Sequence, residues 1–163
     1  MNGGYADPMF DSGITPMQVF NNANRFIEAY HTVLHPFCKA TGLPPMAVDI
    51  LMFAANNPPY ATARNICQYR GLKPGIVSVH VERLVSEGFL TRQPVPEDRR
   101  QTLLVCTEKS LPFVAAGKQL QKEFTEQLLN GLSESDLAAF RKALTMFSKN
   151  IDAIQKKGSK KGV

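Results

Sequence analysis

The chain has 163 residues, 44% hydrophobic and 20% charged, with a formal net charge of +5. That length bounds it to one domain, or one domain with an added dimerisation element, and that composition excludes a wholly disordered chain. No apolar run approaches the ~18 residues of a spanning helix, and MNGGYADPMFDSG lacks the basic-then-apolar order of a signal peptide, so a cytoplasmic protein without a membrane partner is expected.

Residues 1 to 14 hold Gly, Asp and Pro and read as a flexible arm. Thr15-Pro16-Met17-Gln18 is a capping box with Pro at the first helical position. The helix behind it is expected to bury Phe20, Ile27, Val33 and Leu34. Its few charges suggest packing partners on two sides. His35-Pro36 should kink or end it, because the residue before proline is pushed out of the α region. His31, His35 and Cys38 place ligand types at i, i+4 and i+7. Pro36 disrupts that geometry and a fourth zinc ligand is missing, so packing is expected and no metal. Leu43-Pro44-Pro45 opens a second helix running to about Ala55, with Val48, Leu51, Met52 and Ala55 on its periodic face; Asn56-Asn57-Pro58-Pro59 ends it.

The stretch from Ala63 to Thr107 organises the rest. A short polar helix, Ala63 to Tyr69, leads to Gly71, which offers the positive φ of a tight turn. A second helix runs from about Lys73 to Glu87, with Pro74 in its first turn and Gly88 just past its end. Val77, Val81, Leu84 and Val85 form its apolar stripe, leaving Pro74, Gly75, Ser78, Val79 and Glu82 on the opposite face. Two extended segments follow, separated by the charged turn Pro96-Glu97-Asp98-Arg99-Arg100. Helix, turn, helix and arginine-tipped hairpin is the order of a winged helix-turn-helix. Between Ala61 and Arg100 lie seven basic residues (Arg64, Arg70, Lys73, Arg83, Arg92, Arg99, Arg100) and four acids (Glu82, Glu87, Glu97, Asp98), a surplus of +3 in a quarter of the chain.

After Thr107 a long helix is expected, uncertain in its first turn because of Pro112, carrying Phe113, Leu120, Phe124 and Leu128. Ser133-Glu134-Ser135-Asp136 caps the last helix. Leu137, Phe140, Leu144, Phe147, Ile151 and Ile154 then recur at spacings of 3, 4, 3, 4 and 3. Such a heptad seam is read as a homodimer interface rather than as a core helix of one subunit. Lys156 to Lys161 reads as a solvated tail. The three cysteines, Cys38, Cys67 and Cys106, make no CxxC pair and are expected as reduced thiols without a redox role.

Arg83-Leu84-Val85, Gly88, Leu90, Arg92, Asp98, Arg100 and Thr107 together resemble the MarR family of bacterial winged-helix regulators. Cys106 replaces the usual Leu of that pattern, and Ser110 stands where Gly often follows. The resemblance implies a mainly α fold with a small β wing. Its winged helix-turn-helix core would span 44–107, with dimerisation helices over 15–40 and 108–155 and a basic tail over 156–163. It implies a homodimeric, non-enzymatic transcriptional regulator, acting as a repressor on a double-stranded DNA operator. Arg100 would be the inserted wing side chain and Asp98 its buttress. A small apolar or aromatic effector would enter a cleft for which Phe26, Tyr30, Phe37, Phe53 and Phe113 are the candidates.

The residues themselves fill in the rest of that interface. Arg99 and Arg100 can reach a minor groove, Ser78 can hydrogen-bond a base or phosphate, and Val79 can meet a thymine methyl. Lys73 and Arg83 flank them as phosphate contacts. No phosphate loop, nucleophile elbow or paired carboxylates point to an enzyme, and no cofactor is expected. The rival reading is a winged helix used as a protein-interaction module.

Overall fold

The computed structural model describes residues 13–95 and 98–159. The arm up to residue 12, the turn residues Pro96 and Glu97 and the last four tail residues lie outside them. The chain divides into two compact units, 1–122 and 123–163.

The first unit is built around α2 (Pro45–Asn56), in which seven of twelve residues are buried, including Val48, Ile50, Leu51 and Met52. A helix buried nearly all round is a core element rather than an amphipathic cover. Against it pack the C-terminal part of α1 (Pro16–Thr41), then α3 (Ala63–Arg70) and α4 (Pro74–Ser86). The α1 N-terminus is the expected capping box, with Gln18 N donating to Thr15 Oγ1 at 3.2 Å and Thr15 N donating to Gln18 Oε1 at 2.8 Å. The helix does not end at Pro36. It runs on to Thr41 and stops at Gly42, φ 70°. Leu34, Phe37 and Cys38, on both sides of the proline, are all buried, and that packing outweighs the lost backbone bond.

Phe20 and Ile27, expected inside, are 64% and 47% exposed in the single chain, and only Leu34 of the predicted set is fully buried. The α1 periodicity is therefore satisfied within the subunit over its last turns alone.

Between α3 and α4 the chain turns at Gly71, φ 62°, and α4 ends at Glu87 with Gly88 at φ 77°. The expected stripe goes inward: Val77 and Leu84 are 0% exposed and Val81 4%. Strands β1 (Leu90–Val95) and β2 (Asp98–Cys106) pair antiparallel from Leu90 opposite Cys106 to Val95 opposite Asp98, with a register shift after Pro94. Proline has no N–H to give to a ladder, so an irregularity there is the ordinary solution. Asp98, Arg99 and Arg100, expected in the turn, are instead the first residues of β2.

One 3₁₀ turn, Pro58–Tyr60, follows α2, and a second, Glu108–Ser110, leads into α5 (Leu111–Leu128). Pro112 thus sits in the first turn of α5, where its missing N–H costs nothing. At Gly117 a Cβ would lie 2.5 Å from the Met52 sulfur, so glycine is what lets α5 close on α2.

In the second unit, α6 (Glu134–Ser159) begins at the expected cap: Asp136 N donates to Ser133 Oγ at 3.2 Å and Ser133 N to Asp136 Oδ2 at 3.0 Å. Lys156 and Lys157, expected in the tail, belong to its last turns. Among the described residues no single helix is long and apolar enough to cross a membrane.

Candidate nucleic-acid interface

The winged-helix surface is assembled by contacts at the base of the wing. Leu104 N donates to the Ala61 carbonyl at 2.8 Å, and Thr62 bridges Leu103, so the segment entering α3 forms a short third edge to the hairpin. Thr62 also caps α3 by accepting from Asn65 N at 3.2 Å. At the other end, Thr107 Oγ1 donates to the Gly88 carbonyl at 2.6 Å, and Lys109 Nζ lies 4.9 Å from the Phe89 ring centroid. These ties hold α3, α4 and the hairpin in one arrangement, which a surface reading a duplex needs.

On the outer side of α4 stand Lys73, Pro74, Gly75, Ser78 and Val79, all exposed. Ile76 shares this surface at 43% exposure and Val79 reaches 69%. A groove of about 480 Å³ runs between α3, α4 and the strands, with Thr62, Arg64, Ser78, Arg92 and Thr102 on its walls.

Three of the seven basic residues, Arg70, Arg83 and Arg92, are engaged in ion pairs within the chain. Arg70 Nη2 donates to the buried Asp49 carboxylate at 2.5 Å, and His31 Nε2 lies 3.4 Å from the same oxygen. This joins α1, α2 and α3. An aspartate inside an otherwise apolar helix was the sequence signal that some cation must meet it. Arg83, expected as a phosphate contact, donates Nε to Glu87 Oε1 at 2.7 Å and Nη2 to the Gly42 carbonyl at 2.8 Å. Its guanidinium ties α4 to the corner between α1 and α2. Arg92 Nη2 donates to Glu82 Oε2 at 2.8 Å. Arg64 and Lys73 have no ion-pair partner among the described residues. Arg64, at position two of α3, acquires significance only beside α4 and the wing, which no local pattern signals. The side chains of Asp98, Arg99 and Arg100 lie outside the described residues.

The five aromatics proposed for an effector do not share either described cavity. Phe37 is core. Phe113 packs edge-on against Phe89 with centroids 5.2 Å apart, and Phe53 tilts against Tyr69 at 5.8 Å. Tyr30 Oη accepts from Gln121 Nε2 at 2.7 Å, while Gln121 Oε1 accepts from Asn56 Nδ2 at 3.0 Å, a polar clamp across α1, α5 and α2. Burial pushes the Tyr30 phenol above its usual value. Phe26 is 47% exposed. Burial also raises the thiols of Cys38 and Cys106, which disfavours the reactive thiolate.

A helix-turn-helix closed by a two-stranded hairpin defines the winged-helix class, a transcriptional-regulator fold. Residues 41–101 match the model of the MarR family. Solved structures share the fold. The transcriptional regulator PA3341 is 22% identical, with a TM-score of 0.73 over 83% of this chain and 98% of that one. A MarR protein from Peptoclostridium difficile is 15% identical, with a TM-score of 0.71 over 96% and 99%. An E. coli MarR mutant complexed with operator DNA is 17% identical, with a TM-score of 0.59 over 79% and 92%. No curated protein matches the chain.

Proposed function

We propose that this chain is a sequence-specific double-stranded DNA-binding repressor that acts as a homodimer on a pseudo-palindromic operator. The observation that carries the reading is the outward face of α4, with Ser78 and Val79 exposed and Arg64 and Lys73, which have no ion-pair partner among the described residues, nearby. The E. coli relative solved with operator DNA supports the same use of the fold. The α4 helix would enter the major groove, its N-terminal residues Pro74, Gly75, Ser78 and Val79 facing base edges. Lys73 and Arg64 would hold phosphates. Arg99, Arg100 and Asp98 would form the wing contact. Arg83 is left to its structural role.

The homodimer is supported by α6. Phe140, Leu144, Phe147, Ile151 and Ile154 are between 39% and 68% exposed in one chain, and a seam of that length is covered in solution by a second copy. A small apolar or aromatic effector bound near Phe26 and Tyr30 would lower operator affinity only as far as its affinities for the two states differ.

Selection of duplexes from a random pool, followed by titration against salt, tests the core of this reading. The expected result is a two-half-site consensus whose affinity falls steeply with salt. Arg100→Ala should weaken it by about tenfold while leaving the dimer intact. Enrichment of no duplex, or an affinity indifferent to salt, would overturn DNA binding and favour a protein-interaction module.

A further inference from the structure

The exposed face of α4 is unusual for a surface meant to meet nucleic acid. Its N-terminal half carries no Asn, Gln, Arg or Lys beyond Lys73 at the N-cap, and Arg83, further along, is held by Glu87 and the Gly42 carbonyl. Its one acid, Glu82, already accepts from Arg92 at 2.8 Å. What it does present are two β-branched apolar side chains, Ile76 at 43% and Val79 at 69% exposure, with Ser78 beside them. Both lie in the N-terminal half of the helix, and an i, i+3 pair has its Cβ atoms roughly 5–6 Å apart. That separation spans one or two steps of a base-pair stack. Both count as exposed among the described residues, while their neighbours Val77 and Val81 are buried at 0% and 4%.

Resting on the DNA-binding reading above, we infer that Ile76 and Val79 are specificity determinants that read the C5-methyl groups of thymines on neighbouring base pairs. The physical reason is complementarity. The thymine methyl is the apolar group that the major-groove edges of the four bases offer, and an apolar side chain distinguishes it from cytosine, which has only a hydrogen at C5. Such contacts need no bidentate donor, and the one arginine of this helix, Arg83, is engaged with Glu87 and Gly42. Ser78 Oγ, able to donate or accept, tolerates either neighbouring edge. The surrounding phosphate contacts supply affinity without sequence information, leaving the methyl pattern to carry it.

The test alters the DNA and leaves the protein untouched. In the operator selected from the random pool, each thymine of one half-site is replaced singly by deoxyuridine, which removes one methyl group and keeps every hydrogen-bonding atom. At one or two positions affinity should fall about three- to fivefold, the scale of one buried methyl group. All other positions should stay within twofold. With Val79→Ala, an exposed change that does not threaten the fold, the penalty at one of those positions should shrink to under twofold; Ile76→Ala should do the same at the other. Uniform tolerance of deoxyuridine by a protein that binds its operator tightly would overturn methyl reading and leave DNA binding standing. So would penalties that persist unchanged in both variants. Failure to bind any duplex would overturn both, and would point to an apolar protein partner for this face.

Discussion

Helices α4 and α6 carry the same kind of apolar periodicity and meet opposite fates. In α4 the row Val77, Val81 and Leu84 is between 0% and 4% exposed. In α6 the row Phe140, Leu144, Phe147 and Ile151 is between 39% and 50% exposed. A hydrophobic period identifies a helix and the face that seeks cover, but it does not say what provides the cover. For α4 the cover is α2 and the wing of the same chain. For α6, in one chain, the seam is open, and α1 shows both behaviours along its length: Leu34 is sealed and Phe20 is 64% exposed.

The sharpest way to break this comparison is a pair of substitutions. Leu84→Ala should destabilise by about 2–5 kcal/mol in urea titration, the range for a large core side chain cut to Ala. That loss should be independent of protein concentration. Leu144→Asp should leave the winged-helix unit folded and weaken dimerisation by about 2–3 kcal/mol, some thirtyfold or more. Sedimentation equilibrium should show it as a monomer at micromolar concentration. An unchanged dimer would mean that the α6 seam is not the interface.

A smaller effect is expected inside the first unit. Arg70→Ala leaves Asp49, whose side chain is 2% exposed, with His31 as its remaining ion-pair partner among the described residues, and should cost about 1–3 kcal/mol, as for a buried acceptor losing its partner. If stability is unchanged, the link between α1, α2 and α3 is not held by that pair.

The smallest effect concerns the start of α6. Hydrogen bonds from Ser133 hold the Asp136 carboxyl below its usual range. A depressed carboxylate pKa contributes stability that is fully present above the ordinary aspartate value, about 3.9, and lost as pH falls through the lowered one. Helicity followed by circular dichroism should therefore hold down to about pH 4 and decline below it. In Ser133→Ala the Asp136 titration, followed by NMR, should move up toward the ordinary value.

Much of the fold was legible in the residues. Thr15 with Gln18, Gly71, Gly88 and Ser133 with Asp136 marked helix ends through local hydrogen bonds and backbone geometry, and these need only neighbours in sequence. The wing was legible as two extended runs, though its turn was drawn too long, because pairing across the hairpin and not composition sets where β2 begins. Of the candidate interface, the exposed positions Pro74, Gly75, Ser78 and Val79 followed from period alone.

Tertiary structure alone settled the destiny of the charges and the reach of the core. No spacing rule pairs Arg83 with Gly42, 41 residues away, or Arg70 with Asp49, 21 residues away, and these pairings engage two cations that a residue count assigns to DNA. Pro36 is a helix breaker by local rule, yet α1 passes through it because buried neighbours on both sides outweigh one missing bond. Gly117 has no local signature; its role appears only where Met52 comes within 2.5 Å of its absent Cβ. Local chemistry decides where elements start, stop and turn, because its forces act within a few residues. Partnership is decided by which distant groups the packed chain brings into contact.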